Sequence, residues 1–331
     1  MRNACRSAYN KQKWLIHISI ARINKYKKEK NKFYSLLGRP LDLRSPATFN
    51  EKIVWKKIHD RNPLLTVTAD KWLVRDYLGV VLGRNEAEKI TIPLFLAEEN
   101  PDKIAFDDLP DRFVIKTNHA SETNIIVRDK RKINAAETKT KLKSWMSRPY
   151  GIRQFEWAYI GIKPIIIIEE LLEDDAGALP CDFKFLVFHG KCHYILCYTG
   201  REQSVACSVY DTSWTKLPIS WKGHVGPEVS RPATLNRMID ISEALSDAFD
   251  FVRIDLYTIG GMIYFSEMTH YPASGHFQVS PISFDKELGA LWHLKKKYWL
   301  NKNHPSHKIM ANLSSPGYSL NHLSASSLSK S

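Results

Sequence analysis

The sequence predicts an α+β fold with a mostly helical N-terminal region, and three observations carry that expectation. Residues 251–257 and 262–269 form two apolar stretches joined across Gly260-Gly261, where glycines supply the positive φ that a tight turn needs. Further short apolar stretches recur between turn signals, at 112–116, 125–127, 164–172, 182–188 and 192–198. Segments with helical periodicity stand before and between them, at 49–58, 66–78, 139–146 and 233–249.

The hairpin at 251–269 holds the charges that break the pattern. Arg253, Asp255 and Glu267 interrupt core-like strands, and an unpaired charge in a core is costly. Arg253 and Asp255 are two apart and share one strand face. Glu267 joins them only in one register. A two-residue turn puts it on the opposite face, whereas an odd loop with a glycine in the left-handed region returns it, and the odd loop is expected. Two carboxylates and an arginine on one face suit a divalent cation that holds phosphate oxygens. A buried salt bridge from Arg253 to Asp255 or Glu267 explains the same pattern equally well.

Composition bounds the partners. The 331 residues are 44% hydrophobic, enough for one large domain or two to three smaller ones. The net charge of +13 calls for an anionic partner: nucleic acid, an acidic membrane surface, a nucleotide or an acidic glycan. Part of that charge is local, since residues 1–32 carry ten Lys or Arg against one acid, Glu29. Residues 8–32 read as a basic helix with Trp14, Leu15, Ile18 and Arg22 near one face. Such a helix is either a solvated terminus or a dock on an anionic inner membrane surface. The run from Trp14 to Ile20 is too short to span a bilayer, and no cleavage site follows it. Five cysteines without a C-x-x-C exclude a disulfide framework and a zinc site, and fit a reducing cytoplasm.

Taken in order, Thr48-Phe49-Asn50-Glu51 is a capping box that opens a helix with Phe49, Ile53 and Ile58 inward. The helix over 66–78 is expected to end at Gly79 and carries Lys71, a surface lysine or a phosphate contact. The strand 112–116 ends in Lys116. The small polar loop 117–124 that follows can wrap backbone amides around phosphate, or can be an ordinary long hairpin. His119 reads as a loop residue. The apolar strand 164–172 meets Glu169-Glu170, where acids either hold the amino group and ribose of a nucleotide or reach solvent. Lys184 shares a face with Asp182, and a lysine in mid-strand favours a functional role. Residues 214–232 are a Pro- and Gly-rich loop. Residues 301–331 read as a mobile tail. The expected organisation is a basic extension at 1–34, an N-terminal domain at 35–108, a central subdomain at 109–172, a C-terminal subdomain at 173–300 and the tail. No P-loop, G-x-G-x-x-G, G-x-S-x-G or H-E-x-x-H occurs.

Six blocks fall in a meaningful order: Phe49-Asn50-Glu51-Lys52 with Asp70-Lys71; Leu109 to Lys116; Ile168-Glu169-Glu170; Asp182-Phe183-Lys184-Phe185; Arg253 to Tyr257; and Phe265 to Thr269. In these blocks, over about residues 35–290, the chain resembles the TupA-like branch of the ATP-grasp superfamily. The resemblance implies two α+β subdomains that clamp ATP between antiparallel sheets. It implies that Lys71 and Lys116 contact phosphates, that Ser121, Glu169, Glu170 and Lys184 complete the ATP site, and that Asp255, Glu267 and Thr269 hold Mg²⁺. Thr269 stands where many ATP-grasp enzymes have Asn, and Glu122 stands in a loop that usually has small residues. Arg253 is the implied catalytic residue, stabilising the transferred phosphoryl group and the tetrahedral intermediate.

The activity so implied is an ATP- and Mg²⁺-dependent carboxylate–amine ligase working through an acyl-phosphate. It would join a carboxylated sugar or polysaccharide precursor to an amino acid or amine in surface polysaccharide (capsule) biosynthesis. Tyr198, Arg201 and His270 are taken as substrate-pocket residues. The location is cytoplasmic or peripheral at the inner membrane face through residues 1–32, with no nucleic acid partner. The rival enzyme reading is a glycosyltransferase of the same kind of pathway, which lacks a D-x-D near a strand end here. A non-catalytic basic binder would instead leave the phosphate-site lysines exposed and apart.

Overall fold

A computed structural model describes residues 2–200 and 204–315, with the side chains of residues 2–8 and Lys11 left aside. The chain opens with helices α1 (Arg2–Ile23), α2 (Lys27–Leu37) and α3 (Phe49–His59). Thr48 and Glu51 cap α3 reciprocally: the Glu51 amide donates to Thr48 Oγ1 at 3.4 Å, and Glu51 Oε2 accepts from the Thr48 amide at 2.9 Å. The cap fixes where the helix begins, and Phe49, Ile53 and Ile58 are buried as expected.

The helix expected at 66–78 is two helices. α4 (Leu64–Ala69) stops at Asp70, whose Oδ1 accepts from the amides of Trp72 at 2.8 Å and Leu73 at 3.3 Å. An Asp side chain that offers the backbone this alternative competes with the helix, so the chain turns over Asp70–Leu73 and restarts as α5 (Val74–Leu82). Gly79 lies inside α5, and the chain leaves it at Gly83 with φ +84°. α6 (Arg84–Ile90) follows.

Two antiparallel sheets come next. The four-stranded sheet has the order β1 (Leu94–Glu98), β4 (Ile166–Glu170), β2 (Phe113–Thr117), β3 (Asn124–Val127), so it draws on both sides of the boundary expected at 108/109. Phe113, Ile115, Ile166 and Ile168 pack one face against Leu142 of α7 (Ala135–Ser147). The larger sheet continues from β5 (Asp182–Phe188) through β6 (Lys191–Thr199), β7 (Ala206–Asp211) and β8 (Lys216–Leu217) on one side. On the other side lie β10 (Phe251–Ile259) and β11 (Met262–Thr269). α8 (Leu235–Ser246) joins its core through Leu235, Met238 and Leu245, together with Phe183, Phe185 and Ile254 of the strands. Strand alternation turns Asp182, Lys184, Arg253 and Asp255 to the opposite face.

The loop of 214–232 contains β8 and β9 (Ser220–Trp221), and β9 pairs with β12 (Val279–Ser280). α9 (Ile282–Leu291) follows β12. The segment expected to be a mobile tail is folded in part. α10 (Pro305–Leu313) packs Ile309, Met310 and Leu313 against the main core, because these apolar residues fall at helical spacing on one face. Residues 316–331 lie outside the described residues. Among the described residues, no helix is long and apolar enough to cross a membrane.

The turn of the 251–269 hairpin differs from expectation and its consequence does not. Ile259 pairs with Met262, so the loop is the two residues Gly260 and Gly261, both at positive φ. The register then shifts between Leu256↔Phe265 and Asp255↔Glu267, leaving Ser266 as an extra residue in β11. That bulge, not an odd loop, brings Glu267 to the face of Asp255.

Candidate functional site

The facing polar surfaces of the two sheets enclose one cavity of about 310 Å³. Lys71, Lys116, Ser121, Glu169 and Glu170 line it from the side of the small sheet, and Lys184, Asp255 and Glu267 from the large one. Residues separated by nearly two hundred positions therefore meet in a single cleft.

The large-sheet side is a row fixed by strand register. Glu267 pairs with Asp255 and Asp255 with Lys184, while Asp182 pairs with Tyr198. Arg253 grips Asp255 with two parallel bonds, Nε to Oδ1 at 2.7 Å and a terminal nitrogen to Oδ2 at 2.6 Å. The same terminal nitrogen reaches Glu267 Oε1 at 3.0 Å and Thr269 Oγ1 at 2.9 Å. Lys184 bridges Asp182 at 2.6 Å and Asp255 at 2.5 Å. Asp255 is fully buried, and burial raises its pKa, with Arg253 and Lys184 offsetting part of the cost of a charge there. Burial works against the charge of Glu267, but Lys71, Arg253 and Lys184 outweigh it and hold the group well below the usual carboxylate range.

The small-sheet side is built around Asn118. Its Nδ2 donates to Asp70 Oδ1 at 2.8 Å and to the Lys163 carbonyl at 2.9 Å, and its Oδ1 accepts from the Ile165 amide at 2.7 Å. The Lys71 amide donates to the Asn118 carbonyl at 3.2 Å, and Lys71 Nζ to the Ala120 carbonyl at 3.0 Å. The helix break at Asp70 and the 117–124 loop are thus fastened to each other, and Lys71 points from the break toward Glu267 at 3.8 Å. Burial lowers the pKa of Lys71.

This order of lysines and acids around one cleft has a counterpart in sequence. The sequence matches the family model described as TupA-like ATPgrasp over residues 51–293. The chain belongs to that family. Its fold is accordingly an ATP-grasp fold, with the cleft between the two sheets. Helix α1 and the segment after residue 293 lie outside the matched region. Comparison with curated proteins finds no match. Among solved structures, the chain is similar to D-alanine–D-alanine ligase from Bacillus anthracis complexed with ATP. The identity is 18% and the TM-score 0.39, over 68% of this chain and 63% of that one. It is also similar to D-alanine–D-alanine ligase from Helicobacter pylori, at 13% identity and TM-score 0.40, over 75% and 70%. A third is N5-carboxyaminoimidazole ribonucleotide synthetase from Thermus thermophilus, at 13% and 0.37, over 64% and 48%. The chain spans less than two thirds of the length of the Bacillus anthracis ligase.

Within this ATP-grasp cleft, several expected residues sit in unexpected ways. Glu169 is buried, and its carboxylate is held by Arg75 at 2.6 Å and by Lys116. Burial raises its pKa, but the two cations outweigh that and lower it. Its side chain therefore orients Lys116, while Glu170 is the exposed acid of the pair. Arg253 and Thr269 do not line the cavity; they back the two carboxylates, and the Thr269 hydroxyl donates to Glu267 Oε1 at 3.0 Å. Tyr198 lies beside the row, its ring centre 5.4 Å from Lys184 Nζ. His270 is not at the cleft. It alternates to the inner side after Thr269, is buried against Phe249, and its Nε2 is 2.7 Å from Thr68 Oγ1. Arg201 lies outside the described residues.

Sequence reasoning missed three contributors. Arg75 stands four residues after Lys71, a spacing that could have linked them. Tyr150 reaches Ser121 Oγ at 2.5 Å from a segment with no signal of its own. Lys222 sits in the Pro- and Gly-rich loop, at φ +56°, with its amide donating to the Gln278 carbonyl at 2.9 Å and its ammonium 5.8 Å from the Phe277 ring centre. Partial burial of the ammonium and the like charges of Arg253 and Lys184 push its pKa down to about 8, while the residue as a whole is exposed to solvent.

Asp255 and Glu267 offer hard oxygen donors side by side. Among the described residues no group of three or more His, Cys, Asp or Glu is placed to hold a metal. Two carboxylates would fit Mg²⁺, a hard cation that needs few protein ligands beside phosphates and water, and do not make a cage built from protein alone.

Proposed function

We propose that the protein is an ATP- and Mg²⁺-dependent carboxylate–amine ligase. The observation that carries this reading is the meeting of Lys71 and Lys116 with Lys184, Asp255 and Glu267 around one cavity in an ATP-grasp cleft. Lys71 and Lys116 neutralise phosphate charge, with Ser121 and the 117–124 loop closing over it. Glu169 holds Lys116 in place, and Glu170 with the chain that follows it holds the base and ribose. Asp255 and Glu267 would hold Mg²⁺, which when bound would supply neutralising charge for the phosphates.

In the first step a carboxylate oxygen of the acceptor bonds to the γ-phosphorus, the bond to the β-phosphate oxygen breaks, and ADP leaves. In the second, the amine nitrogen bonds to the acyl carbon, phosphate departs with the electrons of the broken C–O bond, and the nitrogen loses a proton. Both steps spread negative charge; Lys184 lines the cavity as a fixed positive charge, and Arg253 holds Asp255 and Glu267 in position from behind. A carboxylated sugar or glycan precursor as acceptor and an amino acid or amine as donor suit the basic surface of the chain. Tyr198, beside Lys184, and Lys222, whose ammonium feels the charges of Arg253 and Lys184, are the acceptor contacts in this reading.

ADP release measured with uronic acids crossed against amino acids tests the proposal, and ADP is expected with at least one pair. Demonstrable ATP binding with no ADP across the panel overturns it. A thermal shift with UDP-sugars and none with ATP-Mg²⁺ would favour the glycosyltransferase reading instead.

A further inference from the structure

The first helix has two apolar faces, and the fold uses only one. Trp14 and Ile18 point inward and are buried. Trp14 meets Trp157 at 5.0 Å between ring centres, and the Arg61 guanidinium lies 4.6 Å from the Trp14 ring centre. At 3.6 residues per turn, Tyr9, Ile16, Ile20 and Ile23 fall within about 60° of one another on the side roughly opposite. They are 54%, 54%, 53% and 79% exposed. A surface helix needs one stripe to pack; a second, contiguous and solvent-facing, marks an interaction surface.

The charge around that stripe selects the occupant. Lys13 borders it, with its ammonium 4.5 Å from the Tyr9 ring centre. Lys25, Lys27, Lys28, Lys30 and Lys32 are exposed on the adjoining turn and α2. The sole acid among the first 41 residues, Glu29, is buried against Lys57 at 2.6 Å and His276 at 3.0 Å. Lys57 and His276 outweigh the effect of burial and hold it ionised, with its pKa at about 2. The exposed surface of α1 and α2 among the described side chains therefore carries no acid: it is apolar, cationic or neutral polar. A second copy of the same face would set lysines against lysines across a two-fold axis. An anionic bilayer satisfies both features: headgroup charge for the lysines and the acyl boundary for the isoleucines.

We infer that α1 is a membrane-surface helix that docks the enzyme on anionic lipid through Tyr9, Ile16, Ile20 and Ile23. The helix pair is tied to the 271–278 turn by Glu29–His276 and by Gln278 Nε2 donating to the Leu36 carbonyl at 3.4 Å, so docking holds the body of the protein close to the lipid.

Co-sedimentation of the full chain with vesicles of phosphatidylcholine alone, and of phosphatidylcholine mixed with phosphatidylglycerol, tests this. Binding to the mixed vesicles should exceed binding to the neutral ones by about tenfold or more and fall with added salt. The triple variant Ile16→Ser, Ile20→Ser, Ile23→Ser, all exposed positions, should lose most of that binding with its melting temperature unchanged. Equal binding to both vesicle types, or a triple variant that binds as the parent does, overturns the inference. So does a concentration-dependent dimer that the triple variant abolishes. None of these readouts depends on the ligase activity.

Discussion

Asp255 and Glu267 oppose each other across β10 and β11 although the turn between those strands holds only two residues. The bulge at Ser266 reconciles the two facts. Without it, a straight ladder from Gly260-Gly261 would set Ser266 opposite Asp255 and send Glu267 to the core face. Bulges recur where a strand must re-aim a side chain, and here the re-aimed side chain completes the pair of carboxylates.

Asp255→Asn separates the two roles of that pair. Asp255 is fully buried and receives Arg253 and Lys184, so loss of its charge leaves two cations with less compensation. Unfolding in urea should register a loss of about 3 kcal/mol. The Mg²⁺ concentration for half-maximal ADP release should rise about tenfold or more, the range for perturbed metal ligation. A Mg²⁺ titration identical to that of the parent protein sinks the metal role.

Arg75→Ala tests whether Glu169 is a positioning residue. Glu169 is shared between Arg75 and Lys116, so removal of Arg75 gives the carboxylate wholly to Lys116 and draws that lysine back from the cavity. The KM for ATP should rise about tenfold, roughly 1.4 kcal/mol of binding, with kcat little changed. An unchanged KM shows that the Lys116 position does not depend on this network.

The sequence announced more of the strands than of the connections. The capping box at Thr48–Glu51, the apolar run at 166–170 and the D-x-K of β5 follow from local chemistry, and they fold as read. The break at Asp70 did not show in the periodicity, since apolar residues keep helical spacing through 64–82 and only the Asp70 hydrogen bonds reveal the turn. The cleft was legible because its charged residues interrupt apolar strands. His270 was misplaced because a residue next to a functional one in a strand faces the other way. Lys222 was invisible: its place depends on β9 pairing with β12, a contact between two-residue strands that leaves no pattern in the chain.

Lys222 gives the activity a pH signature. Its pKa is lowered to about 8, first by burial and then by Arg253 and Lys184. Below that value the ammonium is charged and, in the function proposed above, would hold an anionic acceptor; above it the charge is lost. The KM for the acceptor should rise as pH passes upward through about 8, while the KM for ATP stays level across the same range. In Lys222→Ala the acceptor KM should be raised at all pH values and lose this limb. Persistence of the limb in the variant assigns it to another group.

Asp70 gives stability a slope of the opposite origin. Burial raises its pKa to about 6, with the amides of Trp72 and Leu73 and the Asn118 side chain offsetting only part of the cost. The folded state thus binds a proton more tightly than the unfolded chain, whose carboxyl titrates near its ordinary value. This group's contribution is greatest below about pH 4 and is lost as pH rises to about 6. Two pKa units correspond to about 3 kcal/mol. Asp70→Asn keeps the acceptor oxygen for Asn118 and the two amides but removes the titration. Urea unfolding across this range should find the variant and the parent alike near pH 4, with the variant gaining up to about 3 kcal/mol by neutral pH. Parallel stability curves at every pH would show that Asp70 is already solvated in the folded protein, and that the helix break it governs opens more readily than its hydrogen bonds imply.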